Sequence, residues 1–187
     1  MAGEAVIKIL GFAGSLRKGS YNRSLLRAAS ELIPEGSTLQ TFELDGIPPF
    51  NQDMERTPPD SVKEFKAAIK QADAVLIVTP EYNYSVPGVL KNAIDWASRP
   101  YGDSAWIGKP VAVMSASTGM LGGSRAQYHL RQSFLFLDVV PVTKPEVFVT
   151  FSAQKFDESG KLTDATTRDI VSKLLQALVD LARKIKK

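Results

Sequence analysis

Residues 11–22, GFAGSLRKGSYN, lie between the apolar run AVIKIL and a segment of helical period. They bring together Gly11, Gly14 and Gly19, the basic pair Arg17 and Lys18, and the neutral donors Ser15, Ser20 and Asn22. Glycines let a backbone approach a ligand closely, and free amides at a helix N-terminus favour an anion through their donors and the helix dipole. Ser15, Ser20 and Asn22 add neutral donors and Arg17 a forked cationic one. This is the chemistry of a phosphate cradle. An ordinary capped turn accounts for Gly19 and Ser20 but not for the concentration of donors. Two well-known phosphate loops are excluded. Gly14 and Gly19 have the separation of G-x-x-x-x-G-K-[ST], but Ser20 and Tyr21 follow, and Gly11 and Gly14 stand too far apart for G-x-G-x-x-G.

Two further loops carry unusual residue types. PEYNYSVPG, Pro80 to Gly88, sets Tyr82 and Tyr84 beside Glu81, Asn83 and two prolines, a setting that suits stacking on a planar ligand better than a place in a core. SASTGMLGG, Ser115 to Gly123, joins an apolar run to a helical one and by itself reads equally as a plain strand-to-helix turn. It lacks the G-x-S-x-G elbow, so hydrolysis through Ser115 or Ser117 is disfavoured. His129 is the only histidine and sits in a helical stretch, which points to a solvent-facing or interface role rather than a metal centre. The absence of cysteine excludes disulfides, thiolate zinc sites, iron–sulfur clusters and a cysteine nucleophile.

The elements that must position these loops follow from periodicity. Strands are predicted over Ala5–Phe12, Thr38–Leu44, Ala74–Thr79, Pro110–Ala116 and Val140–Phe148. Helices are predicted over Ser20–Ile33, from a cap at Asp60 or Ser61 to Gln71, and over Pro87–Ser98, Ser124–Phe136 and Asp164–Lys186. Alternating strands and helices argue for a parallel sheet covered on both faces, a doubly wound three-layer α/β/α sandwich. In the five-stranded order 2-1-3-4-5 the ligand crevice opens between the first and third strands, at their carboxyl ends. The loops after those two strands are Gly11–Asn22 and Pro80–Pro87.

GSLRKGSYN (Gly14–Asn22), PEYNYSVPG (Pro80–Gly88) and the following LKNAIDW (Leu90–Trp96) together resemble the NADPH-dependent FMN reductase family of flavodoxin-like proteins. That group includes quinone reductases, chromate reductases and azoreductase-like enzymes. The resemblance runs from the first strand to about the fifth. It implies that Ser15, Arg17, Ser20 and Asn22, with Tyr21 beside them, hold the phosphate of FMN. It further implies that Pro80, Glu81, Tyr82, Asn83 and Tyr84 flank the flavin ring, and that Ser115, Ser117, Thr118 and Gly119 lie by its pyrimidine end. Loop amides suit that end, where a reduced flavin carries negative charge. No side chain is expected to act as a catalytic acid, because the flavin carries the chemistry.

The expected activity is transfer of electrons from NADPH or NADH through FMN to quinones, with chromate, azo compounds or free flavin as other acceptors, in a ping-pong cycle. The rival expectation is a flavodoxin-type carrier without enzymatic activity, against which the net basic chain argues, since such carriers dock through acidic surfaces. A phosphate-sensing receiver on the same fold lacks the expected acidic cluster. The resemblance also implies a homodimer or homotetramer. Tyr101 and Trp106, in RPYGDSAWIG, are either interface aromatics or buried in their own subunit. Lys18, Arg23, Arg99 and Arg125 are left to meet the phosphates of the nicotinamide donor.

At 187 residues the chain suits one domain, 1–187. Its composition, 44% apolar and 23% charged, favours neither disorder nor a membrane class. Met1–Glu4 shows no basic start of a secretory signal, so a cytoplasmic location is expected. Much of the net charge of +3 sits in Lys173, Arg183, Lys184, Lys186 and Lys187, where it complements a helix dipole, so no nucleic-acid partner is expected.

Overall fold

The computed structural model describes residues 5–186; Met1–Glu4, on which the expected absence of a signal rests, and Lys187 of the basic cluster lie outside them. Among the described residues six strands and five α-helices follow one another, alternating up to β5: β1 Ile7–Ala13, α1 Tyr21–Glu31, β2 Ser37–Phe42, α2 Asp60–Gln71, β3 Ala74–Val78, α3 Gly88–Ala97, β4 Pro110–Ala116, α4 Ser124–Leu137, β5 Val140–Pro141, β6 Val147–Val149 and α5 Ala165–Lys186. All pairings are parallel, in the order β2-β1-β3-β4-β5, with β6 also on β4. The flavodoxin-like order 2-1-3-4-5 expected from the sequence is therefore the order observed.

The central strands β1, β3 and β4 split their side chains between two cores, as the two-residue repeat of a strand demands. Ile9, Leu76, Val78 and Met114 pack against α1 and α5, through residues such as Leu25, Leu174 and Leu178. Leu10, Phe12, Ile77 and Val113 pack against α2, α3 and α4, through Phe65, Leu90, Ile94 and Phe134. Burial on both faces explains why β3 and β4 read as unbroken apolar runs.

Two expectations are corrected, and one left open between two alternatives is decided. The single strand predicted over Val140–Phe148 is two short ones: β5 pairs with Pro110 and Val111, and β6 with Met114–Ala116. Val142 still donates to the Val111 carbonyl at 2.8 Å, but Pro145 has no N–H for the ladder, which resumes only at Val147. Neither Asp60 nor Ser61 caps α2: Pro59 is the cap residue with no side-chain bond, and the Ser61 hydroxyl donates to the Gly46 carbonyl instead. Trp106 is buried in its own subunit, with its indole N–H donating to the Ile94 carbonyl at 3.1 Å, so Tyr101 alone of that pair is exposed.

Candidate functional site

The first loop leaves β1 where Gly14 donates to the Val78 carbonyl at 2.8 Å, extending the β1–β3 pairing by one residue. A Cβ on Gly14 would stand 3.1 Å from the Leu90 side chain and 3.2 Å from Thr79 Oγ1, so glycine lets this loop pack closely on α3 and the end of β3 without displacing either. Ser20 caps α1, its Oγ accepting from the Asn22 amide at 3.2 Å. No acidic side chain lies in the first turn of α1, so nothing neutralises the positive end of its dipole. Arg17 folds back over the loop, and its Nη2 donates to the Gly19 carbonyl at 2.6 Å. Asn22 is buried and clasps the end of β4: its Nδ2 donates to the Ala116 carbonyl and its Oδ1 accepts from the Ala116 amide, both at 2.9 Å.

The second loop is a tight hairpin. Tyr82 and Ser85 exchange backbone hydrogen bonds at 3.0 Å, and the two residues between them, Asn83 and Tyr84, have φ of 49° and 67°. Positive φ at both central positions is the signature of a type I′ turn, which asparagine tolerates and an aromatic residue does not. Holding Tyr84 there costs on the order of 1–3 kcal/mol, a strain that the surroundings must enforce. They do so through α4: the Glu81 carboxylate accepts from the amides of Arg125 at 3.0 Å and Ala126 at 3.2 Å, serving as the missing cap of that helix. The Arg125 guanidinium stacks 3.8 Å over the Tyr84 ring, and His129 Nδ1 lies 3.0 Å from Ser85 Oγ.

The third loop turns through Gly122 and Gly123, at φ of 58° and 87°; added Cβ atoms there would stand 2.8 Å from the Phe148 backbone and 2.8 Å from Ser115 Cβ. Ser117 donates its amide to the Val149 carbonyl and accepts at its own carbonyl from Ser152, so the loop is pinned to β6 and the turn after it.

These three loops meet over the carboxyl ends of β1, β3 and β4 in one cleft of about 210 Å³. Ser15, Arg17, Ser20, Tyr21 and Asn22 line one side, Pro80, Glu81 and Tyr82 another, and Ala116, Ser117 and Thr118 the third. Ten of the residues singled out from sequence thus converge. Asn83, Tyr84 and Gly119 are exposed and do not line it. Ser115 is not brought to the cleft at all: it is fully buried, donating to the Gly122 carbonyl at 2.5 Å and accepting from Gln127 Nε2 at 2.7 Å. Ala116 was missed because it acts through its backbone, which no side-chain motif announces, and Gln127 because a lone glutamine in a helix carries no signal.

Of the four cations left for a second anionic ligand, Arg99 follows the far end of α3, about 15 Å of helix away from the cleft. Arg23 is committed to Glu43 at 2.8 Å. Lys18 lies exposed on the first loop, and Arg125, beside the second, is paired more loosely, with Glu81 at 3.4 Å, and keeps 38% of its side chain open to water. Among the described residues no helix is long and apolar enough to cross a membrane, and no group of three or more histidine, aspartate or glutamate side chains is placed to hold a metal.

A doubly wound parallel sheet with such loops at its topological switch point defines a flavodoxin-like protein. The family model of the NADPH-dependent FMN reductases matches residues 7–154, and the chain belongs to that family. It is 48% identical over 181 residues to an NAD(P)H-dependent FMN reductase of Pseudomonas aeruginosa, covering 96% of this chain and 97% of the relative. It is 49% identical over 176 residues to a quinone reductase of Pseudomonas putida, covering 94% and 92%. Among solved structures it resembles FerB, a flavoenzyme NAD(P)H:(acceptor) oxidoreductase from Paracoccus denitrificans, with TM-score 0.88 and 37% identity over 96% of this chain and 98% of that one.

Proposed function

We propose that this protein is an FMN-dependent NAD(P)H oxidoreductase whose acceptors are quinones, and that the cleft between the three loops is its flavin site. The observation that carries the reading is the convergence of a donor-rich helix N-terminus and a slot between Tyr82 and Ser117–Thr118 on one cleft. The residues present fit FMN. Ser15 and Ser20 are 4% and 6% exposed, so their hydroxyls are already withdrawn from bulk water beside an uncompensated helix N-terminus, a setting for a phosphate. Tyr82, half-exposed, supplies the aromatic surface for a planar ring.

When bound, FMN supplies the electron chemistry, accepting a hydride from NAD(P)H and passing electrons on to the acceptor. The chain's own task is binding and orientation. Arg17 and the α1 amides hold the phosphate end. The Tyr82–Ser85 hairpin, braced through Glu81 on α4, presents backbone and aromatic surface to the ring. The third loop brings Ser117 and the Thr118 amide to the end where negative charge develops, and stabilises it without a proton donor. Lys18 and Arg125 attract the phosphates of the nicotinamide donor. With one open face, donor and acceptor take turns, which gives ping-pong kinetics. Quinones are favoured over small oxyanions because, beside the cations Arg17 and Lys18, the loops expose a set of apolar and aromatic side chains: Leu16, Tyr82, Tyr84, Met120 and Leu121.

The assembly proposed is a homodimer formed through α4. Tyr128 and Leu135 lie seven residues apart on α4 and so share one helix face, and Leu135 and Phe136 are 86% and 78% exposed.

The decisive experiment is the visible spectrum of the purified protein before and after anaerobic NADPH. Bound flavin that bleaches directly, and recovers on addition of a quinone, is the expected result. Bleaching only with an added reductase would make the protein a carrier, and a colourless protein that takes up no FMN would remove the reading.

A further inference from the structure

We propose that Gln127 is a positioning residue for the flavin site: its buried carboxamide holds Ser115, and through it the third loop, in the one orientation that sets Ser117 and the Thr118 amide at the cleft. This rests on the flavin reading above. Gln127 lies on the face of α4 that also carries Ala126, Leu130 and Phe134, and it is wholly buried. An apolar side chain of the same length would fill that place without polar atoms to satisfy.

The carboxamide is used in one direction only. Its two Nε2 protons go to Ser115 Oγ at 2.7 Å and to the Val147 carbonyl at 2.9 Å. Its Oε1 is buried without a partner. Exchanging the oxygen and nitrogen would set that oxygen against the Val147 carbonyl, so the donors face the strands of necessity. Ser115 accepts one of these protons and spends its own on the Gly122 carbonyl at 2.5 Å. The result is a chain of fixed polarity, Gln127 to Ser115 to Gly122, running from the core to the turn that closes the third loop. Gly123 packs directly on Ser115, where a Cβ would stand only 2.8 Å from Ser115 Cβ. A buried acceptor without a donor costs stability. A residue that retains it while steering two strands and a loop is placed for geometry rather than for core packing.

The test compares Gln127→Met, which keeps length and burial but donates nothing, with wild type. The flavin's two-electron midpoint potential, the affinities for FMN and riboflavin, and the melting temperature of the flavin-free protein are measured. The loop faces the ring and not the phosphate, so both flavins should be weakened by the same factor. A hydrogen bond's worth of lost aim predicts roughly tenfold. Reduced flavin should lose about tenfold more than oxidised flavin, a fall of about 30 mV for a two-electron couple. Ser115→Ala, which cuts the chain but leaves the Gln127–Val147 bond, should move the potential the same way and stands in if the methionine variant does not fold. A lower melting temperature with unchanged potential and unchanged riboflavin affinity in both variants would make Gln127 a core tie and overturn the inference. A wild-type protein that binds neither flavin would instead overturn the functional reading on which it rests.

Discussion

Arg17 sits on an exposed loop yet is already held there, its guanidinium donating to Gly19 two residues away. Its remaining N–H groups are therefore pre-oriented beside Ser15, Ser20 and the α1 amides rather than recruited from solvent. If they meet the phosphate, Arg17→Ala should weaken FMN while leaving riboflavin, which has the ring and no phosphate, nearly unchanged. A hydrogen bond to a charged group is worth about 1.5–3 kcal/mol, or roughly ten- to a hundredfold in affinity. Paired flavin-fluorescence titrations on wild type and variant measure this, and equal weakening of both ligands would assign Arg17 to the ring or to the fold. Asn22 belongs to a different class of residue. It lines the same cleft, but both ends of its carboxamide are engaged by Ala116, so its removal would loosen the first loop from β4 before it cost the ligand a contact.

Between elements, the loop joining α3 to β4 is clamped to α2 by Asp103, whose carboxylate accepts from Lys66 at 2.8 Å and also from Lys70. The hydrogen bonds from Lys66 and Lys70 hold the Asp103 carboxyl well below the ordinary aspartate value of 3.8, at about 2. A carboxylate whose folded value is depressed adds stability above its unfolded value and loses it as pH falls through the folded one. The contribution of this clamp is therefore intact at pH 5 and above, and is lost between about pH 4 and pH 2. The pairs are more than half open to water on the aspartate side, so screening keeps them to about 1 kcal/mol or less. Asp103→Asn should lower the melting temperature by a few degrees at pH 7, and the gap between variant and wild type should close as pH approaches 2. A gap that persisted at pH 2 would mean that the loop is held by Trp106 and its bond to Ile94 rather than by charge.

For the whole molecule, the least sheltered large apolar side chains are not around the cleft but at the C-terminal end of α4, Leu135 and Phe136. Ile107 joins them, since Gly108 donates to the Asp138 carbonyl at 2.7 Å and sets its own loop against the end of that helix. The same helix braces the second loop through Glu81 and His129, so an α4 contact would bring a second copy close to the hairpin. Light scattering at micromolar concentration should give a mass of at least two chains, and Leu135→Glu with Phe136→Glu should give one. A wild-type monomer would remove the interface.

The local chemistry of the cleft was legible in the sequence. Gly14–Asn22 and Pro80–Tyr82 were legible as lining because donors, glycines and aromatics gathered within a few residues stand out at short range, and short range is what a sequence displays. The strand order was legible for a related reason, since strands buried on both faces leave unbroken apolar runs and helical crossovers leave a period of their own. The interruption after β5 was not read, although its cause, Pro145, stood in plain view. Periodicity averages over a proline, whereas a hydrogen-bond ladder stops at it. What tertiary structure alone decided was the use made of each polar group. Ser115 and Ser117 are alike in sequence and two residues apart, but β4 ends at Ala116, so Ser115 is still held inside the strand against the core while Ser117 lies past it in the loop that lines the cleft. Glu81 caps a helix 44 residues further on, and Asn22 clasps a strand 94 residues away. Partners at such separations are chosen by the packing of the sheet and its helices, which no local pattern encodes.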